Sequence, residues 1–152
     1  MKKDTSNIVI RNRKASFEFE FIEKFIAGIQ LKGTEIKALR QGRANISDSY
    51  CQFYKGELYV KELNISEYSW GNLNNHEPRR ERKLLLTSRE LGKLERKVKE
   101  SGLTITVLKL FINDRGLAKV EIALAKGKKS YDKREDLRHK DARREMDRAS
   151  KR

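Results

Sequence analysis

The chain has a single cysteine, Cys51, so it cannot form an internal disulfide. The residue's place in an apolar stretch suits a small buried side chain in a reducing compartment. Histidine is almost as scarce, with only His76 and His139. There is no Cys/His group at metal-ligand spacing, no phosphate-cradling glycine loop and no G-x-S-x-G nucleophile turn. Little is left from which to assemble a metal-dependent or nucleophilic active site, and no cofactor is expected. No apolar run approaches the roughly 20 residues needed to span a bilayer. The first 14 residues, MKKDTSNIVIRNRK, lack the apolar core of a signal sequence. These absences point to a soluble cytoplasmic protein.

What the chain has in abundance is positive charge. Its 36 Lys/Arg outnumber 22 Asp/Glu, for a net charge of +14 over 152 residues. That excess favours a polyanionic partner, nucleic acid first and an anionic membrane surface second. Residues 126–152, KGKKSYDKREDLRHKDARREMDRASKR, hold twelve Lys/Arg and six Asp/Glu. Their sizeable apolar side chains are only Tyr131, Leu137 and Met146. Such a segment cannot offset its ordering entropy by packing on its own domain. It is still a good helix former. Asp136–Lys140 and Asp147–Lys151 are acid-first i,i+4 pairs, and Lys140, Arg144, Arg148 and Arg152 recur every fourth residue. The stripe suits phosphates, and with no large apolar face opposite it a membrane-surface helix is disfavoured.

The rest of the chain reads as short strands. Ile8–Ile10 is a candidate first strand. Phe17, Phe19 and Phe21 alternate with Glu18 and Glu20, the period of a half-buried strand that continues past a break near Ile22–Phe25. Gly28 within it marks a bulge or a close backbone approach. Thr34–Gln41 forms a short helix, with Ile36, Ala38 and Leu39 inward and Glu35, Lys37 and Arg40 wholly or partly outward. Ser49–Tyr54 and Glu57–Leu63 form a hairpin about Lys55-Gly56. Residues 64–83 read as a long loop containing the only Trp and the only Pro, Trp70 and Pro78. Thr87 and Glu90 then make a capping box, opening a helix with Leu91, Leu94 and Val98 buried and Gly102 at its end. Leu103–Ile112 and Leu117–Ala125 are strands joined at Asn113–Gly116. About six strands in sequence order suggest a closed β-barrel of the oligonucleotide-binding type, with a sandwich as the alternative.

Candidate binding residues fall into clusters. Pro78-Arg79-Arg80-Glu81-Arg82-Lys83 is densely basic, and an extended backbone puts Arg80 and Arg82 on one face. The planar guanidinium fork suits phosphate oxygens. His76 can stack on or bond to an unstacked base, or brace its own loop. Asn12, Arg13 and Lys14 make a second cluster, and Lys37 with Arg40 a third. Glu35 either orients an arginine, accepts from a ribose hydroxyl, or is an ordinary surface ion pair worth ~0–1 kcal/mol. Glu18 and Glu20 are the carboxylates that suggest metal-dependent ribonuclease chemistry, and a solvated strand face is the favoured explanation of them, since such alternation is the normal strand pattern.

Several stretches, in this order, resemble one family. They are Asn12-Arg13-Lys14-Ala15; Ala27-Gly28-Ile29 leading to residues 31–40, LKGTEIKALR; residues 45–50, NISDSY; residues 75–86, NHEPRRERKLLL; and residues 123–134, ALAKGKKSYDKR. Together they are similar to the small protein B family, the SsrA-binding proteins of bacterial trans-translation. The resemblance covers nearly the whole chain. It implies a mainly β fold with short helices: an oligonucleotide-binding-type closed barrel over residues 1–129 and a basic tail over 130–152, disordered when free and helical on the ribosome. The implied activity is non-catalytic. The barrel binds the tRNA-like domain of transfer-messenger RNA and brings it to stalled ribosomes, where the tail reaches the small-subunit decoding site and the empty messenger channel. By motif, the implied RNA contacts are Asn12, Lys14, Glu35, Lys37, Arg40, His76, Arg80, Arg82, Lys83 and Leu85. The implied ribosome-facing set is Gly127, Lys128, Lys129, Tyr131, Asp132, Lys133 and Arg134, with Lys140, Arg144 and Arg148 further on. The chain departs from the family pattern at Ser16-Phe17-Glu18 and Ile26, on the expected RNA side, and at Thr87 and Val107, which read as structural. A monomer is expected, with no metal and no membrane. A general RNA chaperone or ribosome-associated RNA-binding protein is the alternative.

Overall fold

The computed structural model describes residues 8–68 and 75–127, and nine strands and three helices lie among them. The strands are β1 (Val9–Arg11), β2 (Phe19–Ile29), β3 (Ala44–Asn45), β4 (Tyr50–Tyr54), β5 (Glu57–Lys61), β6 (Asn64–Ile65), β7 (Arg82–Leu85), β8 (Thr104–Ile112) and β9 (Ala118–Gly127). The helices are α1 (Ala15–Glu18), α2 (Gly33–Arg40) and α3 (Ser88–Ser101). The architecture is mainly β with few helices, as the sequence leads one to expect. Its seven-stranded sheet runs β1-β8-β4-β5-β7-β2-β9, and β9 also pairs with β8, so the antiparallel pairings make a circuit. β3 and β6 form a separate two-stranded ladder.

The alternation rules of a pleated strand decide what fills this circuit. Phe25, Ala27 and Ile29 of β2 point inward to meet Leu58 and Val60 of β5, Leu84 of β7, Ile105, Val107 and Leu110 of β8, and Val120 and Ile122 of β9. The period of β2 breaks where it should, because a register shift against β9 lies between Phe21 and Glu23. Ile22 sits within that bulge and is exposed. A second shift, between Val107 and Lys109, turns Leu108 away from the main core. It packs instead with Ala15, Ala123 and Phe21 in a small satellite cluster.

Both tight connections follow from backbone chemistry. Lys55 and Gly56 have φ of 50° and 80°, the two positive values that a two-residue hairpin turn of matching twist requires. α3 opens on a reciprocal cap: Glu90 N–H donates to Thr87 Oγ1, and Thr87 N–H to Glu90 Oε1, both at 3.2 Å. It closes on Gly102 at φ 62°, whose N–H donates to the Val98 carbonyl at 3.0 Å. Leu94 is its fully buried residue, with Leu91 and Val98 partly covered.

Four expectations are corrected. The Phe17–Phe21 alternation is not all strand: Lys14 O accepts from the N–H of Phe17 and of Glu18 at 3.0 Å, closing a helical turn anchored by buried Ala15. Glu18 and Glu20 therefore do not share a strand face. The span 64–83 is not all loop, since β6 opens it and β7 begins at Arg82. The strand count rises from about six to nine because β3 and β6 are too short to show a period and β7 begins inside the span that reads as loop. Glu35 is not on the outer side of α2 but fully buried.

Candidate nucleic-acid interface

Glu35 sits in the first turn of α2, and its carboxylate gathers the polar groups around it. Oε1 accepts the Lys32 backbone N–H at 2.7 Å and Arg80 Nη2 at 2.7 Å. Oε2 accepts Arg82 Nε at 2.5 Å and Arg80 Nε at 3.3 Å. Arg82 has no exposed surface, and its remaining donors go to the carbonyls of Leu63 at 2.7 Å and Pro78 at 3.1 Å. Burial alone pushes the Glu35 carboxyl up. The bonds from Arg80, the Lys32 amide and Arg82 outweigh it, and the net shift is downward, so Glu35 is an anion. Burial also pulls the Arg82 guanidinium below its ordinary value while Glu35 opposes that shift, and an arginine remains charged throughout.

His76 belongs to the same assembly. Its Nε2 lies 2.8 Å from the Ile65 carbonyl and its Nδ1 2.9 Å from Thr34 Oγ1. A carbonyl only accepts, so Nε2 carries the proton, and in the neutral ring Nδ1 accepts from the Thr34 hydroxyl. The ring ties the start of α2 to β6 and is buried. Arg82 and His76 are thus buried and bonded to protein groups rather than presented at the surface. They and Glu35 fix the shape of the surface above them.

That surface carries the remaining, more exposed cations. Arg80 is 29% exposed and presents the edge of its guanidinium beyond Glu35. Lys37 and Arg40 are exposed on α2, and the Lys37 ammonium stands 5.6 Å from the Tyr68 ring centroid. On β7, Lys83 pairs with Glu57 at 3.0 Å and Leu85 is 46% exposed. Leu85 lies opposite Gly28, where a Cβ would come within 3.3 Å of the Leu85 Cβ. Gly28 thus marks a close backbone approach, and Ile26 beside it is exposed.

The Asn12 cluster forms a separate place. Asn12 Nδ2 donates to the Val107 carbonyl at 3.0 Å and the Ile46 carbonyl at 3.4 Å, while Oδ1 accepts Lys14 N–H at 3.2 Å. Asn12 therefore shapes the loop that presents Lys14, whose ammonium meets Asp48 at 3.4 Å. A polar cleft of about 260 Å³ opens there, with Ser47, Tyr50 and Thr106 in its wall. Gly127 is the last residue of β9, opposite Phe19. The other expected ribosome-facing residues, Lys128, Lys129, Tyr131, Asp132, Lys133, Arg134, Lys140, Arg144 and Arg148, lie outside the described residues. Thr34 and the carbonyls of Leu63 and Pro78 were invisible to sequence reasoning, because only the fold brings them to His76 and Arg82.

Among the described residues no three His, Cys, Asp or Glu side chains gather as a metal site, and burial pushes the Cys51 thiol up, away from thiolate chemistry. No helix among them is long and apolar enough to cross a membrane. A mainly β domain with a buried acid–arginine knot beneath a cationic surface defines the class: a basic protein built to hold a polyanion. Comparison with known proteins gives the family. The model of the SmpB protein family matches residues 9–152. A protein of Phocaeicola vulgatus called SsrA-binding protein is 59% identical over 95% of this chain and 97% of its own. One of Bacteroides thetaiotaomicron with the same name is 51% identical over the whole of both. A solved chain described as "tmRNA-SmpB: a journey to the center of the bacterial ribosome" superposes with a TM-score of 0.70 at 46% identity, over 86% of this chain and 95% of that one. The chain belongs to the SmpB, or SsrA-binding protein, family.

Proposed function

We propose that this protein is the RNA-binding adaptor of trans-translation. It binds the tRNA-like domain of transfer-messenger RNA and delivers it to ribosomes stalled on messages without a usable stop codon. The observation that carries this function is the family match over residues 9–152, joined to the likeness to a chain described as tmRNA-SmpB in the bacterial ribosome. The adaptor is not a catalyst and works in the cytoplasm. Its pairing circuit β8-β4-β5-β7-β2-β9 supports a closed barrel of the oligonucleotide-binding type, which ends near residue 129. Residues 130–152 act separately, testing the decoding site and the empty messenger channel.

Within the barrel, Lys14, Lys37, Arg40, Arg80, Lys83 and Leu85 reach the RNA. Asn12, Glu35, His76 and Arg82 act one step back by holding those groups in place. The test compares binding of the tRNA-like domain with that of an unrelated structured RNA of equal length at one salt concentration. The adaptor prefers the tRNA-like domain clearly. Equal affinities overturn the proposal in favour of a general RNA chaperone, since phosphate contacts alone do not discriminate.

A further inference from the structure

The outer face of the β4–β5 hairpin carries features that neither the core nor the cationic surface uses. Tyr54 is 61% exposed, the most exposed large apolar side chain among the described residues. Its ring lies 6.4 Å from that of Tyr59, at 68°, an edge-to-face pair. Gln52 stands directly opposite Tyr59 in the ladder and points to the same side. Its exposed amide makes no protein hydrogen bond among the described residues. Together with Phe53, Lys61 and Glu81 these side chains line a concavity of about 490 Å³, in the range of small-ligand sites. The Lys55 ammonium is 5.3 Å from the Tyr54 centroid and has no carboxylate partner among the described residues.

Two aromatic rings, a free amide and an unneutralised ammonium are the parts of a site for an unpaired nucleotide. A base stacks on an aromatic ring, an amide donates to and accepts from the base edge, and a cation takes the phosphate. Register connects this place to the surface already described. Tyr59 of β5 is opposite Lys83 of β7, and Leu85, two residues along on the same face, is opposite Gly28 of β2. One outer sheet face thus runs unbroken from Tyr54 through Tyr59 and Lys83 to Leu85.

We infer that the Tyr54–Tyr59 hairpin is a stacking platform for an unpaired nucleotide of the same RNA molecule that the β7–β2 face holds. This rests on the proposed function, and it adds a site on β4 and β5 that the family motifs do not reach. Stacking is sequence-tolerant, so the platform adds affinity and fixes the direction of the RNA strand rather than reading its sequence.

The test uses the full chain, transfer-messenger RNA, and Tyr54→Ala, Tyr59→Ala and Tyr54→Phe variants checked for unchanged melting temperature. Each alanine variant weakens binding about 5- to 150-fold, the loss of one stacked base. Tyr54→Phe retains affinity. Because no charge is removed, the salt dependence of the alanine variants stays parallel to that of the parent. RNA carrying 4-thiouridine cross-links to peptide 50–61 in the parent. Alanine variants that bind like the parent, or cross-links that miss this hairpin, overturn the platform and leave the adaptor function standing. Unchanged RNA affinity with lost tagging on ribosomes also overturns it, moving the hairpin's contact to the ribosome. A parent that fails to prefer transfer-messenger RNA removes the function on which the platform rests, and the platform with it.

Discussion

At the scale of single residues, Glu35 is where charge and burial meet. Removing one partner of a buried ion pair costs more than the pair itself contributes, because it strands the other charge out of water. Glu35→Gln keeps the shape and strands Arg82, so it should lower unfolding free energy by about 3–5 kcal/mol, measured by urea denaturation. The pH dependence follows from the depressed carboxyl. Its stabilising contribution is complete above the ordinary carboxylate range, fades as pH falls below it, and is gone once pH has dropped through the lowered value. The parent should therefore lose stability across that acid window, and Glu35→Gln should show a flatter profile there. An equally steep profile in the variant assigns the acid lability elsewhere. Arg80 and Arg82 should separate by the same logic. Arg80→Ala weakens RNA binding in a still-folded protein and lowers the salt slope by about 1. Arg82→Ala loses affinity only together with thermal stability.

At the scale of elements, local signals were legible wherever they were self-contained. The cap at Thr87, the stop at Gly102 and the turn at Lys55-Gly56 each depend on a few adjacent residues, and each stands where the sequence places it. Thr87→Ala should cost about 0.5–2 kcal/mol of stability by removing the acceptor for Glu90 N–H. A melting temperature unchanged by that substitution refutes the cap's contribution. Signals that depend on a distant partner were not legible. Helical periodicity sets Glu35 beside its exposed neighbours Lys37 and Arg40, and nothing within α2 announces that Arg80 and Arg82, more than 40 residues away, will reach across to it. β3 and β6, two residues each, exist only because they pair with one another. The candidate site divides in the same way. Its residue types were readable as a basic set. Which of them face out and which are consumed beneath the surface was not, because that is decided by β7 lying against α2.

At the scale of the whole molecule, the distribution of charge argues for a division of labour. Residues 130–152 hold nine Lys/Arg and six Asp/Glu, a net +3 of the total +14. Most of the excess therefore stays with residues 1–129, where Lys37, Arg40 and Arg80 gather around the α2–β7 knot. Phosphate binding releases counterions in proportion to the cations engaged, so the logarithm of the RNA affinity should fall linearly with the logarithm of salt concentration. Deleting 130–152 should leave most of that affinity, and nearly all of that slope, in place. The same deletion should abolish peptide tagging on ribosomes stalled at the end of a truncated message, because the segment proposed to test the messenger channel is gone. The two readouts must part for the division to hold. A deletion that removes RNA affinity and spares tagging would place the RNA-binding charge in the tail and leave the surface of the β domain without a task.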